Sequence, residues 1–266
     1  VNDGRREAIL GAAIVALFLV LRLPLLFARE PFFDELFTVW MARLPPGEIL
    51  PALRLDSGPP LYYFIARIPD VTALRVLSLL FATAALLLIL TRRSLGSARF
   101  IAATLLAVYP PAALFAVDAR AYALCALFVT IGVLALHEKR PWIAAIGFVL
   151  AAYTHWYGAL FLPLLLTSTA GFQPARGGSG GRLEAGGTRA LPFTAACVLF
   201  LPGLWLASQQ PVEATGWMTA QHPLAPLSSF AFASRYASGL FASAPWSLVI
   251  LSAIALVVAI VRSWSL

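Results

Sequence analysis

Long apolar runs alternate with short polar turns along almost the whole chain. Windows of bilayer length pick out apolar stretches at 8–28, 72–91, 100–117, 121–136, 141–154, 156–171, 190–207 and 244–262. A hydrocarbon core about 30 Å thick is crossed by roughly 20 helical residues. The pattern therefore predicts an all-α transmembrane bundle of about eight spans, forming one domain over residues 1–266. The apolar piece at 59–68 stops at Pro69-Asp70 after about ten residues, too short to cross alone, and reads as an interfacial or partly inserted helix. The first span carries the basic flank of a signal peptide but is long enough to cross and lacks an A-x-A exit, so it is expected to be retained as an anchor.

The loops differ in character. Residues 29–71 interleave Phe, Trp, Leu and Tyr with charges. Between Asp34 and Ala42, the residues Leu36, Phe37, Val39 and Trp40 make the apolar stripe of a short helix lying in the interface, which Leu44-Pro45-Pro46-Gly47 ends. Residues 48–55 predict a second such helix and 59–68 a third. The loop at 172–189 is rich in Gly and reads as a flexible linker, without the GK[ST] ending of a phosphate-binding loop. A last loop spans 208–243 and holds Trp217, Gln221, His222 and Arg235 as candidates for acceptor contacts.

Composition agrees with the pattern: 61% of residues are hydrophobic and 12% charged, against roughly 45–50% apolar and 25% charged in soluble domains. The net charge of +7 finds its explanation in topology. Keeping 59–68 out of the membrane puts Arg5, Arg6, Arg92, Arg93, Arg99, Lys139, Arg140, Arg176, Arg182, Arg189 and Arg262 on one face, which then carries +7. The opposite face carries −1, and Arg22, inside the first span, supplies the remaining +1. The basic face is expected to be cytoplasmic. No basic surface segment interleaved with aromatics argues for nucleic acid as a partner. Cys125 and Cys197 lie within apolar runs and read as small packing residues.

Charge is scarce enough in such a chain for each ionised group to need a reason. Asp34 and Glu35 follow the first span closely, on the outer face, and Asp34 competes between capping a helix and doing chemistry. The same face receives Asp118 and Arg120 in the short turn between the third and fourth spans. It also receives Thr154-His155-Trp156-Tyr157 between the fifth and sixth, and Asp56-Ser57-Gly58-Pro59-Pro60. Asp118 with Arg120 can equally be a structural ion pair, and His155, Trp156 and Tyr157 an interfacial aromatic anchor.

Four segments together resemble the polytopic GT-C glycosyltransferases, in particular the branch of dolichyl-phosphate-mannose protein mannosyltransferases and aminoarabinose transferases. They are Phe33-Asp34-Glu35, Asp56 to Tyr63, Ala119 to Leu124, and Thr154 to Tyr157, in the family's order from about residue 8 to 171. The resemblance implies an enzyme of the cell (inner) membrane that moves a sugar from a polyprenyl-phosphate donor to a lipid, glycan or protein acceptor on the exoplasmic side. Under it, Asp34 is similar to the catalytic acidic residue, Asp118 to the second acidic position and Arg120 to the essential arginine. Glu35 joins the catalytic motif, and Asp56, Tyr62, Tyr63, Tyr122, His155 and Tyr157 match positions expected to contact substrate. Asp34 is expected to act as general base, with Asp118 orienting Arg120 or, beside Asp34, holding a divalent cation. Mg²⁺ or Mn²⁺ would suit such oxygen ligands, but two carboxylates and a histidine do not define a site, and the cofactor stays open.

The chain departs from the family pattern at Ser57-Gly58 and in ending soon after the eighth run, where many relatives continue. A compact member, a fragment and the catalytic half of a larger membrane complex all stay open. So does a non-catalytic subunit of the same fold that binds lipid or a partner protein. A transporter is disfavoured, because only Arg22 lies well inside a span.

Overall fold

The computed structural model describes residues 2–167 and 191–211, and those residues are helices, turns and loops without a strand. The run at 244–262, the linker at 172–189, and Trp217, Gln221, His222 and Arg235 lie outside the described residues.

The chain starts with α1 (Asn2–Arg22), extended by a 3-10 turn at Leu23–Leu26. Three short helices follow: α2 (Phe33–Arg43), α3 (Pro46–Leu53) and α4 (Leu61–Ile65). Then come α5 (Val71–Thr91), α6 (Ala98–Val108), α7 (Pro110–Phe115), α8 (Tyr122–His137), α9 (Pro141–Thr154), α10 (Leu164–Thr167) and α11 (Leu191–Gln209). Among the described residues three segments are long and apolar enough to cross a bilayer: Gly4–Leu26, Val71–Thr91 and Leu191–Gln209. Most of their residues face outward, and the outward faces are apolar (Val20, Leu80, Val198, Leu201), as suits a protein whose solvent is lipid. By length and composition these helices suggest a membrane protein, and the described residues are helical throughout their regular structure.

Local chemistry sets the helix ends. Asp70 caps α5 by accepting the Ala73 N–H at 2.7 Å. The second predicted span matches α5 within a residue. Short helices form in the three segments expected to be helical, α2 beginning at Phe33, α3 running two residues earlier than expected and α4 shortened to five residues. On α2 the residues Phe33, Leu36 and Trp40 face outward. Its other face, Glu35, Thr38 and Met41, is buried against protein rather than turned to water.

The predicted spans at 100–117 and 156–171 are not single helices. Trp156–Phe161 is a 3-10 segment, and Pro163 separates it from α10. The first of these runs breaks between α6 and α7 at Pro110-Pro111, which lack the N–H groups that would bond the carbonyls of Leu106 and Ala107. Arg22 supplies both missing donors: Nη2 reaches Leu106 O at 2.8 Å and Nη1 reaches Ala107 O at 2.9 Å. Its guanidinium also lies over the Phe18 ring, 3.7 Å from the centroid, and the side chain is fully buried. The arginine inside the first span thus repairs a proline break in its neighbour. Replacing it by leucine will strand two carbonyls, at about 1–3 kcal/mol each. Thermal unfolding in detergent will show a lowered midpoint for Arg22→Leu. Much of the loss will return when Pro110→Ala and Pro111→Ala are added, because the restored amides can close the helix.

Packing elsewhere follows small residues. Gly132 on α8 meets Gly147 and Phe148 on α9, and a Cβ added at Gly132 would stand 2.3 Å from the Phe148 ring. This close approach brings the start of α8 and the end of α9 to the same end of the bundle. That end also receives α2, the start of α5, and the turn after α7. The other end gathers ion pairs between Arg99 and Glu7 (2.7 Å) and between Arg92 and Glu138 (3.5 Å).

Candidate functional site

Residues 34 and 35 are neighbours on one helical turn and point in different directions, and the turn 118–120 divides in the same way. The result is two adjoining clusters, one sealed and one open.

The sealed cluster forms around Arg75 of α5. All five of its N–H groups have acceptors: Nε to Glu35 Oε1 (2.9 Å), Nη2 to Glu35 Oε2 (2.6 Å) and Glu30 O (3.5 Å), and Nη1 to Leu26 O and Arg29 O (both 3.0 Å). The carbonyls are those left over where the chain leaves α1, so Arg75 ties that exit to α2. Side-chain exposure is 3% for Arg75 and 0% for Glu35. Glu35 Oε1 also accepts the Ala119 N–H at 2.9 Å, which fixes the turn after α7. Burial pushes the Glu35 carboxyl up, but the hydrogen bonds from Arg75 and Ala119 and the charges of Arg75 and Arg29 outweigh it and hold the group below the usual carboxylate range.

Asp118 belongs to this cluster as well. Its carboxylate is hydrogen-bonded and ion-paired to Arg29, not to Arg120. Neither the expected Asp118–Arg120 pair nor an Asp118 that orients Arg120 through its side chain is formed. The only link is through the backbone, where Arg120 N donates to Asp118 O at 2.7 Å. Burial raises the Asp118 carboxyl, the bond and charge of Arg29 oppose it, and nearby Glu35 pushes it further up. Asp118 is paired with Arg29 and Asp34 with Arg120, so each carboxylate already has a guanidinium as its counter-charge. Among the described residues no group of three or more metal-ligating side chains comes together. The residues therefore do not fit the Mg²⁺ or Mn²⁺ site that the sequence left open.

The open cluster forms around Arg120. Its Nη1 donates to Asp34 O (3.3 Å) and to the Tyr63 hydroxyl (3.4 Å), and its Nη2 lies 3.6 Å from Asp34 Oδ2. The Tyr122 hydroxyl is close enough to bond the same guanidinium. Side-chain exposure is 45% for Asp34 and 19% for Arg120, so an acid and a donor fork are both reachable from outside. Asp34 does not cap α2. The N-cap position is Phe32, no side chain bonds the first turn, and the Asp34 carboxylate faces Arg120.

Asp56 sits in the field of both Arg120 and Asp34. Burial raises its carboxyl, the Ser57 N–H and Arg120 lower it, Asp34 raises it again, and the balance is upward. Burial pushes the Tyr63 phenol up to about 12, against the pull of Arg120, so this hydroxyl is neutral and can donate. Tyr62, by contrast, turns inward and faces Ser78 of α5. Tyr157 is exposed and reaches the cluster only through His155, its ring centroid 4.9 Å from the imidazole.

His155 closes the open cluster, its ring 5.2 Å from that of Tyr122. Its Nδ1 accepts the Tyr157 N–H at 3.2 Å, so the neutral ring carries its proton on Nε2 and offers a donor. Burial first, and then the charge of Arg120, lowers its pKa from 6.5 to about 4. Between those values the unfolded chain binds the proton that the folded one refuses, so stability is complete above about 6.5 and falls as pH drops toward 4. The raised carboxyls of Asp56 and Asp118 slope the other way. Unfolding midpoints measured from pH 7.5 to 4.5 will therefore drop less in His155→Gln than in the parent protein.

Of the ten residues singled out in the sequence, Asp34, Asp56, Tyr63, Arg120, Tyr122 and His155 gather in the open cluster, Glu35 and Asp118 lie in the sealed one, Tyr62 turns inward and Tyr157 stays at the edge. Sequence reasoning missed Arg29 and Arg75 as partners of the acidic residues. For Arg75 the signal was present, an arginine inside an apolar run. Gln210 was also missed, and no motif marks it. Both cysteines are free and half-buried. No family model, no curated protein and no solved structure matches this chain.

Proposed function

We propose that the protein is a membrane glycosyltransferase of the GT-C kind, taking a sugar from a polyprenyl-phosphate donor and passing it, with inversion, to an acceptor on the exoplasmic side. The observation that carries the reading is the exposed pairing of Asp34 with Arg120, ringed by Asp56, Tyr63, Tyr122 and His155, at one end of an apolar body.

A sugar held by a lipid phosphate already has a good leaving group, and its departure needs positive charge on the phosphate more than a proton. Arg120 supplies that charge, with planar donors that match phosphate oxygens. Tyr63 and the Nε2–H of His155 add neutral donors. Asp34 takes the proton of the acceptor hydroxyl or amine as it attacks the far face of the anomeric carbon. The bond from that carbon to the phosphate oxygen breaks as the new one forms, and the lipid phosphate leaves on Arg120. Glu35 and Asp118 act one step back, through Arg75 and Arg29, by fixing the helix and the turn that present Asp34 and Arg120.

The topology belongs to the same proposal. About eight crossings of the inner membrane, with α2, α3 and α4 lying in the exoplasmic interface, put the open cluster outside by charge bias. The shorter helices α8 and α9 cross where the bilayer thins around them. The test is transfer in membranes from a panel of radiolabelled polyprenyl-phosphate sugars, against an empty-vector control. Turnover with one donor identifies it. No turnover from any donor by folded protein would replace this reading with that of a lipid- or protein-binding membrane subunit.

A further inference from the structure

Gln210, just beyond α11, reaches across to the loop between α3 and α4. Its Nε2 donates to Leu53 O at 2.9 Å and to Gly58 O at 2.8 Å, and its Oε1 accepts the Gly58 N–H at 3.3 Å. One amide thus holds both ends of the segment 53–58. Leu53 O is among the carbonyls left free where α3 ends. At the other end Gly58 has φ +132°, a conformation that L side chains rarely adopt, and the Tyr63 hydroxyl would lie 3.8 Å from a Cβ placed there. Beside this clamp the Arg54 guanidinium stacks on Trp205 of α11 at 5.0 Å. Asp56 is the midpoint of the segment and carries its only acid.

We propose that Gln210 is a positioning residue: by clamping Leu53 and Gly58 it holds Asp56 against the open cluster of Asp34 and Arg120. The idea rests on the proposed transfer reaction for its consequence, but not for the clamp itself. Within that reaction Asp56 is the group that accepts a hydroxyl of the sugar or of the acceptor, and its placement depends on a residue more than 150 positions away. The N–H groups of Arg54 and Leu55 still bond the last turn of α3, but no backbone–backbone hydrogen bond to the described residues holds 56–58. Without the clamp, Asp56 is free to swing toward solvent, away from Arg120.

Two measurements test this. Hydrogen–deuterium exchange on the purified protein will show amides 54–58 exchanging roughly tenfold faster in Gln210→Ala, from the loss of three bonds. Gln210→Glu, which keeps the size and loses both donations, will behave in the same direction, and unchanged exchange in both variants overturns the clamp. The second measurement is a double-mutant cycle on transfer. Gln210→Ala will lower turnover about tenfold in the parent protein and less than twofold in an Asp56→Asn background, because Asp56 is what the clamp serves. Equal losses in the two backgrounds would overturn a role through Asp56. If the parent protein transfers sugar from no donor, the transfer reading falls, and the exchange result alone decides the clamp.

Discussion

Arg120→Ala will fold and insert normally and will lose transfer by about 10²–10³-fold, the loss found when one preorganised donor is removed from a developing oxyanion. Removing it costs the fold little, because its partners are a backbone carbonyl, a tyrosine hydroxyl and a half-exposed carboxylate at 3.6 Å. The distance is long for an ion pair of this kind. A phosphate entering the cluster can take over the fork of donors without first breaking a tight bond. Arg120→Lys will recover little, because a lysine offers a point charge in place of a planar fork. The fall should appear in kcat at saturating donor, since the charge on the departing phosphate grows as the bond breaks. An unchanged kcat with a raised KM would make Arg120 a binding residue only.

The largest loss of stability will come from the sealed cluster. Arg75→Leu or Glu35→Leu leaves a buried charge without its partner, which costs about 3–5 kcal/mol. In Arg75→Leu the carbonyls of Leu26, Arg29 and Glu30 lose their donor as well. The double replacement will be less damaging than the sum of the singles, because neither charge is then stranded, but it will not return to the parent value while those carbonyls stay open. Arg75→Lys will also unfold early, having three donors for five acceptors. Unfolding midpoints in detergent check all four variants. Transfer will fall with them, since α2 and the turn at 118–120 carry Asp34 and Arg120.

The contrast between the two clusters explains how much the sequence could tell. Asp34, Arg120, Tyr122 and His155 were legible because they are polar residues at the ends of apolar runs, and Tyr63 because it follows Asp56 in a segment with a recognisable order; the fold brings them to one place. Which acid meets which arginine was not legible. Glu35 finds Arg75 40 positions on, and Asp118 finds Arg29 89 positions back, and such pairings depend on helix rotation that no local pattern encodes. Asp34 was weighed as a cap because it stands in a first helical turn. The helix starts one residue earlier, and that small shift turns its carboxylate from the backbone toward Arg120. The break in the run at 100–117 was written in Pro110-Pro111, but apolarity averaged over a window hides two prolines that are themselves tolerated in lipid. Arg22 could be seen in the same way as an intramembrane charge. Its partner could not be, because the two carbonyls become acceptors only once the helices pack. Gln210 is polar and unremarkable in sequence, and only its reach across to Leu53 and Gly58 gives it a role.

The most direct test of the central claim is the transfer rate of Asp34→Asn, measured beside the parent protein in membranes holding equal amounts of folded protein and the preferred lipid-linked donor. The substitution keeps the size of the side chain and its contact with Arg120, and removes the base. Transfer should fall by at least about 10²-fold, the lower range for loss of a general base. Asp34→Asn that transfers sugar at the full rate would remove Asp34 from the chemistry and contradict the mechanism built on it.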